Sequence, residues 1–416
     1  MDLEESVHHD SFGFAVHTNC HTVGDADPRR RRRGGPVRIL VSGGTGMIGT
    51  ALREAAERAG HETGLLVRGE PEGPRQWRWA PADGQVPDAA IAWADAVVNL
   101  SGASIGRLPW TRSYRRELVL SRVTATRTLV EAIHRAVEPP AVLVNASGVG
   151  FYGDRPGERL DEHSGPGRGF LAYVCRRWEA EAQEAQDITR VATVRTGLVL
   201  GDGGALAPLV LATRFGLGAR VGQGTQVWPW VALDDVAGGI LHVVASSVSG
   251  PVNLVAPAHA TSEDVTRALA EVMHRPHRLV LPGPLLRVPL GPAADELLLL
   301  SQDVEPAALL RSGYRFRLPD LRAALEVALR GGSSGGSIYP GHPTTPPGAA
   351  PAAEKVAEHR EEEREPRHGS PSTPQSSSED LAALTVAELR QRARARGLTG
   401  YSRRTKAELI EMLESS

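Results

Sequence analysis

From Val37 onward, apolar positions alternate between two textures. Val37-Arg38-Ile39-Leu40-Val41 is a short apolar run that reads as a buried strand, followed by a glycine loop and an amphipathic helix to about Ala59. Further runs at 61–68, 95–101, 141–147 and 190–197 predict strands, and the stretches 111–137 and 169–185 carry a helical period. Strand and helix in alternation predict an α/β fold, a Rossmann-type doubly wound parallel sheet with helices on both faces. After Gly201 the spacing loosens. Segments 234–247 and 261–273 predict helices flanking a strand at Val252-Asn253-Leu254-Val255, and short segments then run to Arg330.

The two ends of the chain lack this period. Residues 1–35 end in the run Arg29 to Arg33 and are expected to be a disordered tail. Residues 331–378 begin Gly331-Gly332-Ser333-Ser334-Gly335-Gly336-Ser337 and continue Pro/Thr-rich, charged and Ser-rich, which predicts a disordered linker. Residues 379–416 predict a small all-α module. Thr385-Val386-Ala387-Glu388 and Thr405-Lys406-Ala407-Glu408 are capping boxes, Gly397 stops the first helix, and Leu384, Leu389, Leu398, Leu409, Ile410 and Leu413 supply a mini-core. The expected organisation is therefore a tail (1–35), a large α/β domain (36–330), a linker (331–378) and a helical module (379–416).

Composition narrows the class. With 416 residues, 41% of them apolar, the chain can bury a sizeable core, and a net charge of −2 argues against a global basic field. The longest apolar runs, Ala141 to Val144 and Leu297 to Leu300, fall far short of the ~20 residues of a membrane helix, so no membrane partner is expected. Met1 to Asp10 is acidic and polar, without the basic start of a signal peptide. Cys20 and Cys175 cannot form a disulfide framework, and a reducing cytoplasm is the expected compartment. His8, His9, His17, Cys20 and His21 fit no zinc spacing, and no metal is expected. Only Lys355 and Lys406 are lysines. Any mechanism that needs a lysine before residue 355 is excluded.

Candidate chemistry starts at Ser42-Gly43-Gly44-Thr45-Gly46-Met47-Ile48-Gly49, which follows a strand and opens a helix. Gly43 allows the tight turn, Gly46 lets the backbone approach a pyrophosphate, and Gly49 allows close helix–sheet packing, while the helix N-terminus offers free amides to phosphates. The second strand ends in Arg68, where an NAD enzyme would carry Asp or Glu against the ribose 2′-hydroxyl. A guanidinium suits a 2′-phosphate, so NADP(H) is the expected cofactor.

Several motifs recur in one order. They are the glycine loop, Val97-Val98-Asn99-Leu100-Ser101-Gly102, Ser121-Arg122, Ser147-Gly148-Val149-Gly150-Phe151-Tyr152-Gly153 and Trp178-Glu179. Arg195-Thr196-Gly197-Leu198-Val199-Leu200-Gly201, Trp230-Val231-Ala232-Leu233-Asp234-Asp235 and Gly250-Pro251-Val252-Asn253-Leu254-Val255-Ala256-Pro257 follow. Across roughly 37–330 the chain resembles the atypical extended short-chain dehydrogenase/reductases of the NAD-dependent or sugar nucleotide epimerase type. The resemblance implies a small C-terminal α/β region on the substrate side, about 281–330, and a small-molecule substrate. It further implies that Arg68 takes the adenosine phosphate and that Leu100, Ser101 and Gly102 pass beside the adenosine and ribose. Glu117 and Arg122 would add cofactor contacts, and Gly197 to Val199 would approach the nicotinamide end.

Ordinary members of that superfamily use Ser, Tyr and Lys, the Lys ammonium lowering the Tyr pKa so that Tyr passes a proton as hydride moves. Ser147 matches the serine. Aligning Glu179 with the acidic residue that follows the pair puts Leu171 at the Tyr position and Cys175 at the Lys position. Neither can do that work. Tyr152 is the candidate substitute, as an acid/base or as a wall of the substrate side. Tyr173 and Arg177 mimic the lost spacing but sit about 200° round the helix from the aligned pair. Cys175 is expected to be an inert buried residue, and Asp234-Asp235 to cap a helix.

Residues 381–416 resemble the N-terminal helix-loop-helix domain of transcription termination factor Rho, close in plan to SAP modules. The matching stretches are Leu384 to Arg390, Gly397-Leu398 and Ser402 to Ile410. The resemblance implies weak binding of nucleic acid or of a protein through this unit, without a strong phosphate-seeking field.

Overall fold

A computed structural model describes residues 35–201 and 203–331, together with Glu408, Ile410 and Leu413. The expectations for the 1–35 tail (Gly35 apart), for the linker from residue 332 on, and for the caps and most of the core of the last module lie outside the described residues.

In chain order, β1 (Arg38–Ser42), α1 (Met47–Arg58), β2 (Glu62–Val67), β3 (Gln76–Arg78), α2 (Asp88–Trp93), β4 (Ala96–Asn99) and α3 (Arg112–Arg135) form the first half. The second half comprises β5 (Val142–Gly148), β6 (Arg155–Leu160), α4 (Phe170–Gln183), β7 (Arg190–Thr196), β8 (Leu198–Leu200), α5 (Ala207–Arg214), β9 (Gly218–Val221), β10 (Trp230–Ala232), α6 (Leu233–Ala245) and β11 (Gly250–Leu254). The chain continues through α7 (Ser262–Val272), β12 (His277–Leu281), α8 (Gly283–Leu290), α9 (Pro292–Ala294), β13 (Gln302–Val304), α10 (Ala307–Arg311) and α11 (Leu321–Gly331).

Seven strands make one sheet in the order β11-β7-β5-β4-β1-β2-β3, parallel throughout. Such a sheet is buried on both faces, which is why β1 reads as an unbroken apolar run. Ile39 and Val41 face one core with Leu52 and Ala56 of α1 and Val236 and Ile240 of α6. Leu40 faces the other, with Leu129 and Ile133 of α3. The strand order reverses between β1 and β4, and ligands of doubly wound sheets sit outside the carboxyl ends at that point.

A third core holds Trp228, Trp230, Val265, Leu269, Leu286 and Leu325. It forms the small C-terminal region, with the two-stranded pairs β10-β8 and β12-β9 along it. Several carboxylates tie the C-terminal segments to the main α/β body, Glu296, Glu162 and Asp235 among them. Glu296 accepts from the Phe170 and Leu171 amides at 2.7 and 3.0 Å, capping α4 in place of a side chain from its own N-terminus. Glu162 accepts from the Asn253 and Ala308 amides at 3.1 and 3.0 Å. Asp235 overturns its expected role. Fully buried in the first turn of α6, it makes no cap; it accepts from Tyr314 Oη at 3.0 Å and from the Arg317 and Leu318 amides at 2.8 and 2.9 Å. Burial without those donors would cost a carboxylate several kcal/mol, roughly, so the loop 314–318 is held to α6.

Among the described residues no helix is long and apolar enough to cross a membrane. Glu408, Ile410 and Leu413 are helical, and Leu413, an expected member of the module's mini-core, is buried.

Candidate functional site

The loop after β1 is shaped by what its glycines leave out. Gly43 has φ +72°, and a Cβ there would stand 2.8 Å from the Leu100 carbonyl carbon and oxygen. A Cβ on Gly49 would come within 2.4 Å of Gly43 O. Helix α1 can thus start directly under the loop. Gly46 is its N-terminal boundary residue and brings no side-chain cap, so the first-turn amides, including those of Met47, Ile48 and Gly49, stay available to an anion. Thr45 and Gly46 are exposed, whereas Gly44 is packed under Leu65 of β2.

Behind the loop lies a row of polar side chains that strand register builds. Ser42, Asn99 and Asn145 are paired across β1, β4 and β5. Asn99 Oδ1 accepts from Ser42 Oγ at 2.6 Å and from the Ser101 amide at 3.2 Å. Its Nδ2 donates to Asn145 Oδ1 at 2.7 Å and to Thr126 Oγ1 at 2.9 Å. Thr126 in turn accepts from Trp178 Nε1 at 2.9 Å. A buried network with its donors matched is rigid, and this one fixes where Leu100, Ser101 and Gly102 leave β4.

The other expected cofactor residues surround this floor. Arg68 follows β2 directly and is exposed. Arg122 is 9% exposed, donates to Leu118 O at 3.0 Å, and lies 4.9 Å from the Trp178 ring. Glu117 is exposed on the same helix, about 140° round from Arg122. Val199, in β8, is buried. The loop after β8 reaches back to α1, because a Cβ on Gly201 or Gly204 would stand 3.2 or 3.1 Å from the Met47 side chain.

Ser147 and Tyr152 belong to a second network. Ser147 Oγ donates to Glu179 Oε1 at 2.6 Å. Glu179 is held in a two-pronged pair by Arg195, at 2.9 Å from Nε and 2.8 Å from Nη2. Arg195 Nη1 donates to Tyr152 Oη at 3.0 Å, and Tyr152 Oη donates toward Asn253 Oδ1 at 2.7 Å, with Asp161 O 2.9 Å away. Burial works against the Arg195 charge, but the Glu179 carboxylate more than offsets it and holds the guanidinium pKa above its usual range. Tyr152 is 0% exposed, and burial raises its pKa despite the cation beside it. A substrate-facing acid/base needs an accessible hydroxyl, and this one is enclosed.

At the aligned Tyr and Lys positions the structure puts apolar packing. Leu171 joins Trp110, Tyr114 and Leu118 in a cluster that closes over α4. Cys175 is buried against Gly148 O at 3.5 Å, and burial pushes its thiol up to about 11. Tyr173 is 44% exposed and belongs to neither network.

Residues 39–255 match the NAD dependent epimerase/dehydratase family, and 281–328 match a domain of unknown function. An epimerase family protein of Mycobacterium leprae is 38% identical over 293 residues, 70% of this chain and 95% of that protein. The chain belongs to the NAD-dependent epimerase/dehydratase family. Among solved structures, a human epimerase family protein crystallised with NADPH is 34% identical, with TM-score 0.65 over 70% of this chain and 99% of that one. The Thermus thermophilus UDP-glucose 4-epimerase complexed with NAD, at 21% identity and TM-score 0.58, covers 71% and 99% and shares the fold. Residues 380–415 match the Rho termination factor N-terminal domain, so an epimerase-family domain is fused to a Rho-type module.

A nicotinamide dinucleotide is the cofactor this family implies, and the glycine loop, free helix amides and backbone floor fit one. The family motifs mark Glu179 and Arg195 in the sequence without showing that they pair. Their pairing was missed. The available signal is a charged side chain in each of two buried elements, Arg195 directly after Val191-Ala192-Thr193-Val194 and Glu179 after Trp178.

Proposed function

We propose that the chain is an NADP(H)-binding oxidoreductase or epimerase acting on a small-molecule substrate in a reducing cytoplasm, within the domain 36–330. The observation that carries this reading is Arg68, exposed at the end of β2 without a carboxylate partner among the described residues. It occupies the place of the acidic residue that selects NAD. The NADPH in the human relative supports the same choice. In this reading Gly43, Gly44, Thr45, Gly46, Met47, Ile48 and Gly49 cradle the pyrophosphate, Leu100, Ser101 and Gly102 flank the adenosine side, and Glu117, Arg122 and Val199 add contacts. When bound, the cofactor supplies a hydride acceptor or donor. Replacing Arg68 by Ala is expected to weaken NADPH far more than NADH, by about 1–3 kcal/mol of lost charge-assisted bonding. Equal losses in titrations of the two cofactors would sink the assignment.

A second reading has its own observation. Leu171 and Cys175 lie in apolar packing and Tyr152 is enclosed, so among the described residues none of these three positions offers a proton donor to the floor. The chain would then be a catalytically silent NADP(H) sensor or scaffold. Tight NADPH binding without oxidation across a broad carbonyl panel favours this second reading. Turnover removes it.

For 379–416 we propose weak binding of single-stranded nucleic acid, with protein tethering as the outcome if nucleic acid fails to bind. The match to the Rho domain supports it.

A further inference from the structure

Helices α5, α7 and α11 leave a groove of about 820 Å³ between them on the small C-terminal region. That volume lies within the range of small-molecule sites. Val210 and Leu211 of α5, Val272 and Met273 at the end of α7, and Ala328 and Leu329 of α11 line it. Leu211 is 58% exposed, so this apolar lining faces water instead of closing on itself. Beside α5, from Ala207 to Arg214, the groove runs about 10 Å by the helical rise.

Charge is spread unevenly along it. Glu326 is the one carboxylate among the described residues of the lining, and Arg322 and Arg330 already hold it at 3.4 and 3.1 Å. Arg214, His274 and Arg275 also line the groove, and no ion pair engages any of them among the described residues. They gather where α5 and α7 finish, since a Cβ on Gly216, two residues past Arg214, would stand 3.9 Å from Pro276, the neighbour of Arg275. That end presents two unpaired guanidiniums and an imidazole to whatever enters.

His274 adds a separate observation. It has φ +52°, the one non-glycine residue in the left-handed region among the described residues. Helix α7 ends on it, with the His274 amide donating to Glu271 O at 3.0 Å and the Arg275 amide to Ala270 O at 2.8 Å. Glycine closes such a helix end without strain. A histidine there works against folding, and its side chain makes no hydrogen bond among the described residues that would offset the strain. What it does is bring an imidazole to the groove.

We propose that the groove binds an amphiphilic anion. An acyl chain of medium length lies against Leu211, Val272 and Leu329, and its carboxylate or phosphate head meets Arg214, His274 and Arg275. Burial of the chain supplies affinity, and the two guanidiniums supply the preference for an anion. None of these residues belongs to the glycine loop or to the polar row behind it, so the inference stands without the cofactor reading.

Calorimetric titration of the full chain, with each probe below its micelle concentration, tests this. Decanoate and decyl phosphate separate the two head groups, decylamine carries the chain with the opposite charge, and acetate is the head without the chain. At least one of the two anions should bind tenfold or more tighter than decylamine, and acetate should not bind measurably. Arg275→Glu should weaken that anion at least tenfold and shift the preference toward decylamine. Leu211→Gln, at an exposed helix position, should weaken anion and amine alike. His274→Gly should weaken the anion threefold or more while Tm of the ligand-free protein stays equal to wild type or rises. Failure of both anions to bind, equal binding of decylamine, or affinities that Arg275→Glu and Leu211→Gln leave unchanged would overturn the proposal. So would a lowered Tm with unchanged affinity in His274→Gly. NADPH titration of the same samples is a separate readout: its failure would remove the cofactor reading and leave this one standing.

Discussion

Cys175 stands where a lysine would make an ordinary dehydrogenase site, and its chemistry is the opposite of a lysine's. Thiolate is the reactive form, and burial beside the Glu179 charge holds the thiol up to about 11. At pH 8 the folded protein should therefore leave Cys175 unmodified by iodoacetamide, while unfolding exposes it at once. Mass spectrometry of the labelled peptides separates it from Cys20. The Glu179–Arg195 pair makes a different prediction. Glu179→Gln leaves a buried guanidinium without its charge partner and should cost about 3–5 kcal/mol in denaturant unfolding. Tyr152→Phe removes one hydroxyl from the same network and should cost about 1–3 kcal/mol, the smaller of the two. If Tyr152→Phe abolished turnover at unchanged stability, the enclosed-hydroxyl assignment would be wrong.

At the scale of elements, the turn between β1 and α1 is the part where sequence and geometry agree most closely. Gly49→Ala would put a methyl 2.4 Å from Gly43 O, so the loop must lift off the helix. We expect about 1–3 kcal/mol of destabilisation and a matching loss of cofactor binding, measured by denaturation and titration. That element was readable because Ile39 to Val41 is buried on both faces and the glycines follow immediately. Helices α3, α4, α6 and α7 were readable for a similar reason, each presenting a long period to a core. Strands β3, β8, β10 and β13 have three residues each, too few to show an alternation, and they stayed hidden. The second network was hidden for another reason. Ser147, Glu179 and Arg195 come from three elements far apart in sequence, and only the sheet brings them together. Asp235 misled because an acidic residue at the start of a helix looks like a cap whatever it binds.

For the whole molecule, the helical module is the separable part. Nothing in 379–416 resembles a cofactor element, so removing it should leave NADPH affinity unchanged. Loss of NADPH binding would contradict that independence. If the module takes single-stranded RNA through Arg403, Arg404 and Lys406, the logarithm of affinity should fall with that of salt with a slope of about −2. Comparing full-length and shortened chains at two salt concentrations isolates the effect. Unchanged RNA affinity in the shortened chain would place nucleic-acid binding elsewhere.

The family matches leave a gap between residues 255 and 281, as though two parts met there. Glu296, Glu162 and Asp235 contradict that impression. Each sits on one side of the gap and accepts backbone amides: Glu296 reaches back to α4, Glu162 forward to Ala308, and Asp235 forward to Arg317 and Leu318. Split at the gap, the first fragment would keep Glu162 without the Ala308 amide and Asp235 without the Arg317 and Leu318 amides, and the second would keep Glu296 without the Phe170 and Leu171 amides. Neither half should then persist alone in a cell, yet the two expressed together could find each other through these clasps and the β13–β6 pair. The boundary between the two family matches is, for this molecule, a fastening.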